Sequence, residues 1–216
     1  MKIINNLVPH LLLWVTILMS YSTAFGDNQV FKRISPVFIE NRGQWPSEVL
    51  FLARINGLDA WITKNGITYD FHALKLNNDS IGKILPTRLS EQLLKRQYQR
   101  YGHIVKVNLL GTNEHPIPKA EQISQAYYNY FVGNDPKRWR SYVSSYQSVI
   151  IENIYQGIDQ RYYFDKGYIR YDYIIRPGAV LSQLQLEIKG AYSTWINEKG
   201  ELVFSTVFGN VEQQDI

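Results

Sequence analysis

Between Asn129 and Gly178 the chain is a run of aromatic and β-branched segments interrupted at short intervals by Gly, Asn, Asp and Pro, and no other feature limits its fold as much. Asn129-Tyr130-Phe131-Val132-Gly133-Asn134-Asp135-Pro136 and Trp139 are followed by Tyr155-Gln156-Gly157-Ile158-Asp159, then by Tyr171-Asp172-Tyr173 and Pro177-Gly178. Rings and branched chains fit a pleated, half-buried surface, and the intervening residues are turn formers, so the stretch predicts antiparallel strands joined by tight turns. It carries no recognisable catalytic motif.

The same grammar extends outward. Val49 to Arg54 and Leu58 to Thr63 read as strands around an Asn56-Gly57 turn, and Lys64-Asn65-Gly66 closes a hairpin into Ile67 through Leu74. In His103 to Leu110 the residues Val105, Val107 and Leu109 alternate with Lys106 and Asn108, as in a strand with one buried face. Gly111 to Glu121 reads as a Pro-containing loop, followed by strands over Tyr127 to Val132, Val143 to Ile151 and Ile158 to Phe164. Asp165-Lys166-Gly167 turns into Tyr168 to Arg176, where Ile169, Tyr171, Tyr173 and Ile175 share one face and Arg170 and Asp172 the other. Leu184, Leu186 and Ile188 repeat the alternation. Glu201 to Phe208 predicts a strand, Gly209-Asn210 a turn and Val211 to Ile216 the start of another strand. Between these regions Asn77 to Ser80 reads as a polar loop, and Ser90 caps a predicted helix over Glu91 to Tyr101, with Leu93, Leu94, Tyr98 and Tyr101 at helical spacing and Gly102 as its stop.

The fold class expected is mainly β: an antiparallel sandwich or two packed sheets with one short helix. Residues 27–76 form a first β unit, 77–103 the loop and helix, and 104–216 a second β unit, expected to be incomplete at its C-terminus. Trp61-Ile62 and Trp195-Ile196 each precede a Gly five positions after the Trp, a weak internal echo that suits either a duplicated unit or ordinary hairpin chemistry.

Residues 1–26 read as a signal peptide. Lys2 gives a basic start, Leu11 to Met19 a short apolar run, and Ala24-Phe25-Gly26 the small-x-small pattern before Asp27. The run is well short of the roughly 20 residues needed to span a bilayer. The expectation is therefore an exported protein, secreted or held at the cell surface, with no membrane span in the mature chain. The sequence lacks cysteine, which excludes disulfides and thiolate chemistry. The formal charge of +4 is mild for the 216-residue chain, and with no nucleic-acid motif it argues against nucleic acid as a partner. The surplus gathers in Arg88, Lys95, Arg96, Arg100 and Lys106, opposed by Glu91, and in Lys137, Arg138 and Arg140; this suits a solvated surface, an anionic polysaccharide or lipid headgroups.

Glu40-Asn41-Arg42-Gly43-Gln44-Trp45, together with the ordered series from Asn129 to Gly178, resembles the N-terminal domain of bacterial SBBP-repeat (beta-propeller repeat) proteins of the secreted and cell-surface kind. The resemblance runs from about Pro36 to the end. It implies a non-enzymatic β module with no assigned catalytic residue and no cofactor, in a structural or interaction role. Such relatives continue into further strands and repeats, whereas this chain stops at Ile216, so a truncated or minimal member is expected.

Against that stand two other readings. Trp45, Trp139 and Trp195 are candidate ligand-binding residues, since aromatic rings on an exposed sheet stack against sugars; the partner would then be polysaccharide, or another surface protein, and the chain an adhesin module. Glu152, Asp159, Asp165 and Asp172 are close enough in sequence for two to act as acid and nucleophile in glycoside cleavage, although turn formation and surface pairing explain them equally. His72, His103 and His115 lack the helical-pair spacing of a zinc site, and no metal is expected. Asn134-Asp135-Pro136 and Gly157-Ile158-Asp159 offer oxygen atoms to calcium but suit turns as well. Asn78-Asp79-Ser80 matches the N-glycosylation triplet, a pattern frequent by chance.

Overall fold

A computed structural model of the chain describes residues 35–55, 57–76 and 98–213. The leader over 1–26, the polar loop at 77–80, most of the predicted helix and the charges Arg88, Glu91, Lys95 and Arg96 lie outside the described residues.

Thirteen strands are present among the described residues: β1 (Phe38–Glu40), β2 (Val49–Ile55), β3 (Leu58–Thr63), β4 (Gly66–Leu76), β5 (Tyr98–Leu109), β6 (Ile117–Tyr130), β7 (Arg140–Tyr155), β8 (Ile158–Asp165), β9 (Tyr168–Ile175), β10 (Leu186–Lys189), β11 (Thr194–Ile196), β12 (Leu202–Thr206) and β13 (Gly209–Gln213). Every pairing is antiparallel. Ten strands form one curled, half-barrel sheet in the order β10-β5-β4-β3-β2-β1-β7-β8-β9, with β6 on β7; β11-β12-β13 form a small second sheet. The arrangement is mainly β, as expected, with a curled sheet and a small companion in place of two extended layers.

β7 is the hub. Its Tyr146 pairs with Ile123 of β6 on one flank and Phe38 of β1 on the other, and Ser148 pairs with Glu121 and with Tyr163 of β8. One edge of β7 is thus covered by β6 while the opposite edge carries β1 and then β8. Through β1, the meander β2-β3-β4-β5 and the hairpins β7-β8-β9 become parts of the same sheet.

Alternation decides which side chains are enclosed. Phe38, Phe51, Ala53, Ala60, Ile62, Ile67, Tyr69, Val105, Val107 and Leu109 line the inner face, joined by Val149, Ile151, Ile158 and Tyr162 from the other half. The second sheet covers this face with Phe204, fully buried at 5.9 Å from the Tyr69 ring and 6.4 Å from that of Phe71. Opposite it, Val37, Ile39 and Val143 form a smaller cluster under Trp45, Tyr128 and Tyr130. On β9, Ile169, Tyr171 and Tyr173 pack on the core while Asp172 is exposed. Arg170 is half-buried and paired to Asp165, and Ile175, beside the Gly157 turn, lies beyond the covered part of the face.

Several expectations are corrected. Tyr98 to Tyr101, the end of the predicted helix, belong to β5, and Gly102 sits inside that strand rather than stopping a helix; among the described residues helix is confined to the single 3-10 turns Pro136–Arg138 and Leu181–Gln183. The pairing of β4 with β5 over eleven residues outweighs the helical spacing of two tyrosines. Ile117 to Glu121, assigned to a loop because of Pro118, form the first part of β6. An outer strand pairing on one side only tolerates a residue without an N–H. The last turn falls at Val207-Phe208, and Gly209-Asn210 already pair with Thr206 and Ser205.

Candidate functional site

The two motif stretches of the sequence meet in space. Asn41 organises the loop after β1. Its Nδ2 donates to the carbonyls of Pro46 (2.9 Å) and Val49 (2.8 Å), and its Oδ1 accepts from Gly43 N (2.9 Å). The loop thereby presents Trp45, whose ring stands edge-on to Trp61 (5.4 Å) and Tyr130 (5.1 Å). Across from it, Asp135 caps the 3-10 turn by accepting from Lys137 N (3.0 Å), and Arg140 Nε donates to the Arg42 carbonyl. Gly43 has φ +97°, and a Cβ there would come within 2.8 Å of the Arg140 guanidinium. Asn41, Gly43, Trp45, Asp135 and Arg140 are therefore parts of one latch between β1-β2 and β6-β7.

Of the three candidate tryptophans, Trp45 belongs to that latch and is partly buried. Trp139, 39% exposed, lies edge-on to Phe131 (5.6 Å) and donates from Nε1 to Gly133 O (3.2 Å). Trp195 is on β11 of the second sheet. They do not share one platform, since Trp195 belongs to a different sheet. Larger exposed apolar surface gathers instead on β6-β7, where Ile123, Tyr127, Phe131, Val132 and Tyr142 are open to solvent. The Tyr127 and Tyr142 rings stand 5.0 Å apart. Tyr142 takes φ +54°, in the left-handed region, and its N–H is held by Asn129 Oδ1 at 2.9 Å. The bulge turns Tyr142 outward.

The four carboxylates weighed for hydrolysis each have a local partner. Glu152 pairs with Lys119 (2.6 Å), Asp165 with Arg170 (3.2 Å), and Asp172 accepts from Tyr163 Oη (3.3 Å). Asp159 is buried, accepts from Asn153 N (2.7 Å) and pairs with Arg176. Asn153 takes φ +56° where the β7-β8 register shifts, so Asp159 fixes a bulge. In the basic groups, Arg140 is engaged by backbone carbonyls and Arg100 by Asp70 (2.9 Å).

Inside the sheet lies a hydrogen-bonded aromatic network. Tyr171 Oη donates to Gln213 Oε1 (2.8 Å), Gln213 Nε2 donates to Tyr69 Oη (3.0 Å), Tyr162 Oη donates to Gln160 Oε1 (2.9 Å), and Gln160 Nε2 donates to Tyr173 Oη (3.3 Å). Burial disfavours phenolate, pushing Tyr171 up to about 12 and Tyr69, Tyr162 and Tyr173 further above the ordinary value.

One constellation escaped the sequence reading. Asp59 of β3 and Asp70 of β4 are direct cross-strand partners, and His72, two residues on, shares their face; one ligand atom from each lies within 4.8 Å of the others. Asp59 is buried and held by Arg54 (3.0 and 3.4 Å). The Arg54 guanidinium is raised above its ordinary value by the bond to Asp59, against the opposing effect of burial. The signal was present: a two-residue turn at Lys64-Asn65 places 63 opposite 66 and hence 59 opposite 70.

Fold and surface together define an antiparallel β domain in which Glu152, Asp159, Asp165 and Asp172 each have a local partner and the aromatic residues divide between a polar-bonded interior and an open hairpin. The chain belongs to the family described as Domain of unknown function (DUF7948), whose model matches residues 38–216. No curated protein and no solved structure matches the chain. Among the described residues no helix is long and apolar enough to cross a membrane.

Proposed function

We propose that this chain is an exported, non-enzymatic β module of a bacterial surface or secreted protein that works by contact, and that the contact surface is the β6-β7 hairpin. The observation carrying the reading is the pair of exposed ring sets, Tyr127 with Tyr142 and Phe131 with Trp139, on one hairpin. Contiguous exposed apolar surface costs solubility and is characteristic of interaction sites. The latch through Arg140 and Asn41 holds the loop end of the hairpin, which favours a preorganised surface over a loose loop. The signal-like leader and the resemblance to SBBP-repeat proteins support export.

A second reading, polysaccharide adhesion, draws on the same rings, because tyrosine and tryptophan faces stack on sugars. One experiment separates the two. Purified chain and a Tyr142→Ser/Phe131→Ser variant are bound to the isolated envelope of the producing cell, untreated, protease-treated or glycosidase-treated. We expect saturable binding that the variant loses while its unfolding curve is unchanged. Loss after protease supports a protein contact, and loss after glycosidase supports adhesion to glycan. Equal binding by variant and parent would remove the hairpin from the function.

A further inference from the structure

We propose that Asp59, Asp70 and His72 form a binding site for a divalent cation of the zinc or manganese class on the outer face of the β3-β4-β5 sheet. Two carboxylates placed directly opposite on neighbouring strands repel each other, an arrangement that a cation between them relieves. Asp59 is buried, so water does little to screen it. The third donor is an imidazole, and one nitrogen with two carboxylate oxygens suits zinc or manganese better than calcium or magnesium, which favour oxygen alone.

The surroundings have the form of an outer shell. His72 Nδ1 lies 3.2 Å from the Asp70 carbonyl oxygen. A carbonyl only accepts, so Nδ1 carries the proton and Nε2 is left with its lone pair for a metal, the tautomer selection found around metal-bound histidines. The carboxylates are oriented in the same way. Arg54 holds Asp59 and Arg100 holds Asp70. Each carboxylate has about four lone-pair positions and can serve a guanidinium and a metal together. The arginines are themselves largely exposed, at 59% and 54%, so they can shift without unpacking the sheet. On β5, the partner of His72 is Gly102, in mid-strand. A Cβ there would stand 3.7 Å from Asp70 Oδ1, so a glycine leaves the approach to the three donors clear of a side chain. Three protein ligands leave further coordination positions to water.

The test uses the untagged full chain, freed of metal by chelation. Calorimetric titration with zinc chloride and with manganese chloride should show one saturable site. Outer-shell substitutions around metal sites cost about 10–100-fold in affinity, so removing a ligand in His72→Ala should weaken binding by about 100-fold or more. His115→Ala, removing an exposed histidine elsewhere, should leave affinity unchanged. Manganese added to the isotopically labelled parent locates the ion without any variant. Paramagnetic broadening should centre on residues 57–60, 69–72 and 100–104. The absence of saturable binding, an unchanged affinity in folded His72→Ala, or broadening centred elsewhere would each overturn the site.

Discussion

Raising the pH should unfold this protein through its own interior. Tyr69, Tyr162, Tyr171 and Tyr173 have folded-state pKa values above the unfolded value of about 10. Their protonated forms are favoured in the fold, so their stabilising contribution is fully present below pH 10. It is lost as pH rises toward the folded values, about 12 for Tyr171 and higher for the others. At pH 11 an unfolded tyrosine is mostly ionised, which stabilises the unfolded chain by about 1.4 kcal/mol per residue, or roughly 5–6 kcal/mol for the four. That sum equals much of the ~5–15 kcal/mol that separates folded from unfolded in ordinary domains. The four phenols should therefore titrate together with loss of structure between about pH 11 and 12. Phenolate absorbance and far-ultraviolet circular dichroism, followed on one sample, make the comparison. Urea unfolding at successive pH values gives the slope, with stability expected to fall by about 1.4 kcal/mol per pH unit for each interior tyrosine. Tyr171→Phe should lessen that slope by one residue's worth. It should also cost about 1–3 kcal/mol at neutral pH, because Gln213 Oε1 loses its donor. Reversible ionisation of every tyrosine near pH 10 with the fold intact would refute the buried network and the argument built on it.

Phe204→Ala should destabilise by about 3–5 kcal/mol in denaturant titration, since it empties the contact between the two sheets. Asp159→Ala should cost about 1–3 kcal/mol by orphaning Asn153 N, whereas Asp165→Ala, losing a surface pair, should cost under about 1 kcal/mol; equal losses would contradict the bulge-fixing role. Tyr171→Asp should destabilise by several times more than Asp172→Asn, because only the first puts a charge against the core, as equilibrium unfolding would show. Trp45→Ala should lower the melting temperature and Trp195→Ala much less, because Trp45 packs between Trp61 and Tyr130.

Much of the strand pattern was legible because period-two alternation and turn chemistry agree. Val105, Val107 and Leu109 are buried as their spacing demands, and Gly66 closes its hairpin where a Cβ would meet Val107 O at 2.1 Å. What misled was local evidence overridden at long range. Tyr98 and Tyr101 have helical spacing but gain more by pairing with β4, and Pro118 announces a loop yet sits where only one flank needs hydrogen bonds. Asp59, Asp70 and His72 were missed because ligand spacing was sought along a helix. Asp70 and His72 are two apart, the spacing of one strand face, and Asp59 joins them only through hairpin register. Sequence order likewise does not say that Trp45 and Trp195 lie against different sheets.

The three residues of β1 set the order in which this molecule can assemble. The hairpins β2-β3, β3-β4, β6-β7, β7-β8 and β8-β9 each join near neighbours in the chain and can zip independently. Phe38 must instead find Tyr146 across more than a hundred residues, and β10 must find β5 across some eighty. Loop-closure entropy has to be met before either contact gives anything back, which places the joining of the two halves late and makes it slow, in the millisecond-to-second range typical of such β topologies. β1 can pair locally with β2, so until the halves join it is the outer edge of β1 and the facing edge of β7 that stand open. Nascent chain is therefore vulnerable to proteases and to pairing with other chains for as long as the β1-β7 junction is open.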